Sequence, residues 1–254
     1  MKNQKSTLLF IILGGFFIAN AIIAEFIGVK IFSLEKFFGM DPVNLSLFGE
    51  SGLSFNLTAG VLLWPVVFVM TDIINEYYGV KGVRILSYLA AGLILYSFIM
   101  VYFAIGLPAA DFWVGVNAAK GVPDMNLAYG TIFGQGLWII IGSLIAFLLG
   151  QFIDVYIFHF LKSKTGEGSL WFRSTGSTVV SQFIDSFVVL FIAFYVGANW
   201  SFAFVMAICI VNYIYKFSMA LLLTPVIYFV HEIIEKYLGH ELAETMKKEA
   251  MSNE

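Results

Sequence analysis

Long apolar runs constrain this chain more than any other feature. A helix crosses a bilayer core of about 30 Å with about 20 apolar residues. Six segments meet this requirement, namely 8–29, 58–74, 85–107, 136–160, 175–196 and 202–230. The last segment is long enough to tilt strongly or to contain a break near Asn212. The sequence therefore predicts an all-α integral membrane protein whose six transmembrane helices form a compact bundle.

The composition excludes several other classes. The 254 residues are 60% hydrophobic and 12% charged, with a mean hydropathy of +0.89, whereas about a quarter of soluble-domain residues are charged. A net charge of -3 provides no basic surface for direct nucleic-acid binding. Cys209 is the single cysteine, which excludes an internal disulfide and a metal site of several cysteines.

The charge distribution predicts the orientation. The first apolar run has no A-x-A-like cleavage site and is read as a retained span of a multi-pass bacterial inner-membrane protein. With the amino terminus inside, ten of the 14 Lys and Arg residues are cytoplasmic, three are external and Lys216 lies within a span. The cytoplasmic ten are Lys2, Lys5, Lys81, Arg84, Lys162, Lys164, Arg173, Lys236, Lys247 and Lys248. Both termini are therefore predicted to be cytoplasmic.

The chain divides into one transmembrane domain, 1–238, and a charged cytoplasmic tail, 239–254. The charged carboxy-terminal stretch from His231 to Glu254 is expected to be an exposed, helix-compatible extension on the inner face, and no chemistry is assigned to it. Segment 107–136 contains Pro123 and several glycines, and is predicted to be an external loop that dips back inward. Segment 33–57 is predicted to be a long external loop.

Ionisable side chains inside the apolar runs indicate a polar interior. A charged group at mid-bilayer depth costs about 2.5–3.5 kcal/mol on insertion scales, so it normally lines a cavity or meets a partner. Asp185 lies ten residues beyond Thr175, which places it about 15 Å deep. Lys216 is near the centre of the last run, and Asp185 is its predicted partner. A purely structural ion pair is the alternative interpretation.

A stripe of aromatic and acidic residues follows Trp64. Phe68, Asp72 and Glu76 share one helical face because residues four apart are neighbours. The alternative interpretation is a helix end that reaches water, where the carboxylates pair with Lys81 or Arg84.

The tetrapeptide Gln-Phe-Ile-Asp occurs at 151–154 and again at 182–185. Each copy places a glutamine and an aspartate one turn apart on one face. Asp154 lies nearer the headgroups, which favours a structural role, and two short matches do not establish an internal repeat. Asn20 is read as a contact between helices, and Glu25 as a marker of the external end of its span.

Together these residues predict one chamber for a small, flat, polar ligand. Aromatic rings stack on a heterocycle, while carboxylates and amides accept and donate hydrogen bonds at its edge. A carboxylate can accept both adjacent N–H groups of a guanine-like edge, although other small polar solutes remain open. The candidate substrate-binding residues are Asn20, Trp64, Phe68, Asp72, Glu76, Gln151, Asp154, Gln182, Asp185, Asn212 and Lys216, and Trp138 is a further candidate stacking surface.

The sequence contains none of the motifs H-E-x-x-H, G-x-S-x-G and the P-loop. We therefore expect no metal, no cofactor and no enzymatic activity. A paired-aspartate intramembrane protease that uses Asp154 and Asp185 is the enzymatic alternative.

Two stretches resemble the hallmarks of the VUT, or YhhQ-type, queuosine precursor transporters. Residues 64–79 read WPVVFVMTDIINEYYG, and residues 171–185 contain WFRSTGST followed by SQFID. Further agreement lies in Ile132-Phe133-Gly134, in Lys216 and in Thr224-Pro225. The resemblance extends from about Leu8 to Leu238.

The resemblance implies import of 7-deazaguanine precursors of queuosine, such as preQ0, preQ1, queuine or the nucleoside, for salvage in tRNA modification. It also implies a fold similar to the substrate-binding subunits of energy-coupling-factor transporters. An alternating-access transporter is the leading hypothesis, and the alternatives are a binding subunit with separate energising partners and an intramembrane enzyme. Asp154, Asp185 or Glu25 could carry a coupling proton, and both a monomer and a homodimer are open.

Overall fold

The computed structural model describes residues 2–165 and 170–252, and most of these residues are helical. The α-helices are α1 (Lys2–Ile27), α2 (Leu34–Phe37), α3 (Trp64–Ile105), α4 (Asp111–Val114), α5 (Met125–Phe133), α6 (Leu137–Thr165), α7 (Leu170–Leu190), α8 (Phe202–Leu238) and α9 (His240–Ser252). Five helical segments of this part of the chain are long and apolar enough to cross a membrane, and they start at Gln4, Trp64, Met125, Phe172 and Phe202. The predicted α-helical membrane protein is confirmed.

Helix α3 covers two of the six predicted runs. Its 42 residues would extend about 63 Å, twice the bilayer core, if they formed one straight helix. Gly79 interrupts it with φ 65° and ψ -169°, a left-handed backbone that favours glycine. The helix therefore consists of two parts, α3a (residues 64–78) and α3b (residues 80–105).

The two parts of α3 run in opposite directions along α1. Tyr78 packs on Phe10 near the start of α1, with 4.9 Å between ring centroids, and donates a hydrogen bond to the Ser6 carbonyl oxygen. Phe98 packs on Phe26 near the end of α1, at 5.7 Å. We call the end with Gly79 the terminal end of the bundle, and the end with residues 28–62 and 106–136 the loop end.

Buried apolar side chains from α1, α3 and α6 form the main core. Phe17, Ile73 and Phe147 are almost fully enclosed there. Large apolar side chains such as Ile11, Phe103 and Leu222 are exposed on the outer faces of their helices. This distribution suits a bundle that is surrounded by lipid and has its polar groups inside.

The segment after α1, which the sequence predicts to be a loop, contains short strands. Strand β1 (Ile31–Ser33) pairs antiparallel with β4 (Asn56–Thr58), and β2 (Leu45–Leu47) pairs antiparallel with β3 (Glu50–Leu53). Glu35 fixes this segment, because its carboxylate accepts hydrogen bonds from the Phe55 N–H at 2.7 Å and the Ser33 hydroxyl at 3.0 Å. Burial raises the pKa of Glu35, but these hydrogen bonds outweigh it and leave the pKa below its usual value.

The carboxy-terminal tail is not an exposed extension, so that expectation is wrong. Helix α9 buries Ala243, Met246 and Ala250 against the terminal end, and a Cβ at Gly79 would lie 2.7 Å from the Ala250 carbonyl oxygen. Lys247 binds the carboxylate of Glu235 at 2.6 Å. Alternating apolar and charged residues make α9 amphipathic, which explains why a charged sequence packs on the bundle.

Candidate functional site

A cavity of about 430 Å³ opens between α1, α7, α8 and the segment that joins α5 to α6. This volume is within the usual range for small-molecule sites. The polar residues among those that line it are Glu25, Thr58, Trp64, Thr131, Gln135, Ser143, Asp185, Ser186, Asn212 and Lys216. Thr131, Gly134, Gln135 and Gly136, from the segment that the sequence predicts to be an external loop, form one wall of the cavity.

An ion pair between α7 and α8 forms part of the cavity wall. The Lys216 ammonium lies 2.6 Å from Asp185 Oδ2, and the two side chains are only 8% and 13% exposed. The predicted pairing of these two residues is therefore confirmed. Asn212, one turn before Lys216, also lines the cavity and donates a hydrogen bond to the Ile208 carbonyl oxygen at 3.0 Å.

Glu25 is a cavity residue that the sequence interpretation placed at a helix exit. Its side chain is buried, and Oε2 accepts a hydrogen bond from the Ser143 hydroxyl at 3.0 Å. Oε1 has no hydrogen-bond partner within the described part of the chain. Gln135 donates to the Glu25 backbone carbonyl at 3.0 Å, which holds this end of α1 against the α5–α6 junction. A buried carboxylate with an unused oxygen is a strong acceptor for a ligand.

Small residues on α6 allow α7 to approach closely enough to place Asp185. A Cβ at Gly142 would lie 3.1 Å from the Val189 carbonyl oxygen, and one at Gly150 would lie 3.3 Å from Asp185 Cβ. With buried Ala146 between them, these residues recur every four positions on one face. This is the small-residue pattern that brings membrane helices together. The four-residue spacing of Gly142, Ala146 and Gly150 is also visible in the sequence.

Helix α7 ends in a π-helical turn, Phe191–Val196, beside the cavity. Such turns are often found at functional sites because they shift the side chains that follow. Phe194 lines the cavity and stacks on Trp200, with 4.4 Å between ring centroids. Trp64 lines the same cavity and packs on Phe147 at 5.7 Å. Trp138 instead contacts the region of Gly197 and is 46% exposed.

A second, much smaller cavity of about 10 Å³ lies further toward the terminal end. Asp72, Gln182 and Lys216 contribute to its wall. Lys216 therefore lines both cavities. Neither amide atom of Gln182 has a hydrogen-bond partner among the described residues. A space of this size holds about one water molecule.

A carboxylate pair lies next to the small cavity. Asp72 and Asp154, on α3a and α6, are almost completely buried and within hydrogen-bonding range of each other. Ser174 donates to Asp72, and Ser181 donates to Asp154 Oδ1 at 2.8 Å. The notion of an enzymatic pair formed by Asp154 and Asp185 is not supported, because Asp185 binds Lys216.

Glu76 belongs to an ionic cluster at the terminal end. Its carboxylate lies 3.2 Å from Arg173 and 3.0 Å from Lys162, and all three side chains are buried. The alternative that Glu76 pairs with Lys81 or Arg84 is wrong for Glu76, because its partners come from α6 and α7. Lys162 and Arg173, read as loop charges from the sequence, are thus part of the helix packing.

The structure separates the predicted site residues into three groups. Trp64, Asp185, Asn212 and Lys216 line the large cavity. Asp72 and Gln182 line the small one. The remaining candidates, which line neither cavity, are Asn20, Phe68, Glu76, Gln151 and Asp154.

The residues outside the cavities have other contacts. Asn20 donates to the Phe16 carbonyl oxygen of its own helix at 2.8 Å. Gln151 accepts a hydrogen bond from Thr71 at 2.6 Å. Phe68 is fully buried beside Gly150. A single chamber for all the predicted residues is therefore wrong, because several polar groups satisfy one another between helices.

Comparison with known proteins agrees with this architecture. Residues 58–230 match a family described as "Putative vitamin uptake transporter". A "Probable queuosine precursor transporter" of Bacillus subtilis (strain 168) is 31% identical over 188 residues, which cover 71% of this chain and 75% of the relative.

Two further relatives come from other bacteria. The "Queuosine precursor transporter" of Escherichia coli (strain K12) is 26% identical over 65% of this chain and 67% of its own length. The "Probable queuosine precursor transporter" of Haemophilus influenzae is 24% identical over 69% of this chain and 70% of its own length. No solved structure matches the chain. The family match and the Bacillus relative show that this multi-pass bacterial membrane protein belongs to the VUT, or YhhQ-type, family of queuosine precursor transporters, and is a transporter rather than an enzyme.

Proposed function

We propose that this protein imports 7-deazaguanine precursors of queuosine, such as preQ0 and preQ1, across the bacterial inner membrane for salvage in tRNA modification. The observation that carries the proposal is the 430 Å³ cavity, in which Glu25 and the Asp185–Lys216 pair lie beside Trp64. The names of the relatives given above supply the substrate class. Carboxylates beside an aromatic surface suit a flat base that carries several N–H donors.

We infer six membrane crossings with both termini in the cytoplasm. The two parts of α3 run oppositely along α1, so each counts as one crossing. The excess of Lys and Arg in the segments of the terminal end supports a cytoplasmic position for that end. The large cavity, which the loop-end residues 131–136 help to form, then opens toward the outside and is the site where substrate enters.

The two cavity carboxylates have different roles in this proposal. Asp185 accepts an N–H group of the pyrimidine edge through Oδ1 while Lys216 holds Oδ2. Glu25, whose Oε1 has no partner within the described chain, accepts the aminomethyl group of preQ1. That group is cationic near neutral pH, whereas preQ0 carries a neutral nitrile in its place. Glu25 therefore favours preQ1.

Binding of both ligands to the purified protein tests these roles. Removal of one partner of a buried charge pair costs about 2–5 kcal/mol, so Glu25→Gln should weaken preQ1 binding by about 30-fold or more. Binding of preQ0 should change much less. Glu50→Gln, outside the cavity at the loop end, is the control. An equal loss for both ligands would remove the assigned role of Glu25, and failure of the wild type to bind any deazaguanine would remove the proposed function.

Uptake into liposomes that contain only the purified protein tests transport itself. Accumulation or exchange of labelled preQ1 supports a self-sufficient transporter. Binding without uptake would instead indicate a binding subunit that needs energising partners.

A further inference from the structure

We propose that Asp72 and Asp154 form a proton-binding site that couples substrate uptake to the inward movement of protons. This proposal rests on the transport function proposed above and adds its energy source. The two carboxyl groups are within hydrogen-bonding range of each other, and their side chains are 1% and 0% exposed. Two carboxylates this close in a dry interior cannot both stay ionised, so they share one proton.

The hydrogen bonds around the pair support a shared proton. Ser174 donates to Asp72 Oδ2, and Ser181 donates to Asp154 Oδ1. Asp154 Oδ2 has no hydrogen-bond partner within the described residues. A proton held between the two carboxyl groups supplies the missing hydrogen bond at Asp154. A buried acceptor left without a hydrogen bond is unfavourable, so the shared proton stabilises this arrangement.

No Lys, Arg or His of the described chain forms an ion pair with either carboxylate. The charged or titratable side chains of the surrounding helices that are buried or nearly buried include Tyr77 and Glu76 on α3, Lys162 on α6, Arg173 and Asp185 on α7, and Lys216 and His231 on α8. Glu76 engages both Lys162 and Arg173, and Lys216 binds Asp185. His231 is hydrogen-bonded to Tyr77 at 3.0 Å. These buried cations thus have other carboxylate partners, and a proton is the charge that compensates the pair.

A route connects this pair with the substrate cavity. Asp72 lines the 10 Å³ cavity together with Gln182 and Lys216, and Lys216 also lines the 430 Å³ cavity beside Asp185. The small cavity has the size of about one water molecule, and the amide of Gln182, 3% exposed and without a described partner, provides polar groups for it. A proton can therefore pass from the substrate cavity through this space to Asp72.

The pair also lies where its charge affects helix packing. Asp72 belongs to α3a and Asp154 to α6, while the hydroxyl donors Ser174 and Ser181 come from α7. With one shared proton the pair holds these helices together. Release of that proton toward the cytoplasm leaves two like charges, which repel each other and favour separation of α3a from α6. Proton release is thereby linked to opening of the terminal end.

Uptake in proteoliposomes tests the coupling. The measured quantity is the ratio of preQ1 accumulation with an inward proton gradient to that without one. A gradient of one pH unit supports about tenfold accumulation at one proton per substrate. We expect a ratio of about ten for the wild type and about one for Asp72→Asn and Asp154→Asn. Asp111→Asn, an exposed residue at the loop end, is the matched control and should behave like the wild type.

Infrared spectroscopy gives a second measurement that needs no substrate. The wild-type protein should show the carbonyl band of a protonated carboxylic acid at alkaline pH, and both Asp72→Asn and Asp154→Asn should remove it. Three results would overturn the proposal. The first is a wild type without this band, and the second is an accumulation ratio of ten in Asp72→Asn or Asp154→Asn. The third is wild-type uptake that is driven by a sodium gradient alone. If the wild type transports no deazaguanine, the transport function fails, whereas the infrared band still decides whether the pair holds a proton.

Discussion

The ion pair between Asp185 and Lys216 joins α7 to α8, and the proposed function gives Asp185 a second role in substrate binding. Paired substitutions separate these two roles. At 2.6 Å the attraction between two unit charges is about 6 kcal/mol at an effective dielectric constant of 20. Desolvation of both groups offsets much of this, because the side chains are only 8% and 13% exposed. The loss of stability is larger when one partner is removed, because the other then remains in the interior as an isolated charge.

We expect Lys216→Met and Asp185→Asn each to lower the free energy of unfolding by about 3–5 kcal/mol. For a chain of this size this corresponds to a fall in Tm of about 6–20 °C, measured by thermal unfolding in detergent. The double variant should recover most of the stability, because it leaves no unpaired charge. Its uptake of preQ1 should nevertheless remain absent, since the acceptor for the base edge is missing.

The exposed pair Lys236–Glu232 is a matched control. Its N–O distance is also 2.6 Å, but the side chains are 75% and 64% exposed, so Lys236→Met should not shift Tm measurably. A double variant as unstable as the single ones would refute the energetic argument. Normal uptake by well-folded Asp185→Asn would refute the role of this carboxylate in binding.

Two further substitutions test the framework around the site. Gly150→Leu should destabilise the protein by about 1–3 kcal/mol and reduce uptake, because a Cβ there already lies 3.3 Å from Asp185 Cβ. Gly92→Leu, where a Cβ has no neighbour within 4 Å, should be tolerated in the same thermal and uptake assays. Glu35→Gln should lower Tm at neutral pH by weakening the bonds to Phe55 and Ser33. Folding lowers the pKa of Glu35, so the difference in Tm between the wild type and Glu35→Gln should be fully present above the usual carboxyl pKa. It should disappear as the pH falls through the pKa of Glu35 in the folded protein. A difference in Tm that persists in acid would contradict the assignment.

The apolar runs and the buried ion pair could be predicted from the sequence because each follows from the cost of placing polar groups in lipid. The length of the apolar runs predicts the α-helical membrane class. Asp185 and Lys216 are predicted to lie at a similar depth in the bilayer, and this predicts that they pair with each other. The tail could not be assigned in the same way. Packing of α9 depends on the left-handed turn at Gly79, against which Ala250 fits. Nothing in the sequence around either residue indicates this contact.

The prediction that all the polar candidate residues line one chamber is wrong for a related reason. Sequence spacing shows which residues share a face of one helix but not which helix that face meets. Glu76 shares a face with Asp72, yet its partners Lys162 and Arg173 come from helices far along the chain. The role of Glu25 in the cavity cannot be predicted from the sequence, because a carboxylate near a helix end usually reaches water, whereas here the α5–α6 junction covers it.

The two Gln-Phe-Ile-Asp segments show why local sequence identity does not transfer function. Helices α6 and α7 lie side by side, and Asp154 is aligned with Ser181, whereas Asp185 lies beside Gly150. Because the two helices run in opposite directions, the aspartate of α6 lies nearer the terminal end and that of α7 nearer the loop end. One carboxyl group therefore meets Asp72 in a closed interior, and the other meets Lys216 at the large cavity. The same four residues thus provide two carboxylates with different partners, and for this reason the proposals above assign a proton to one and a base edge to the other.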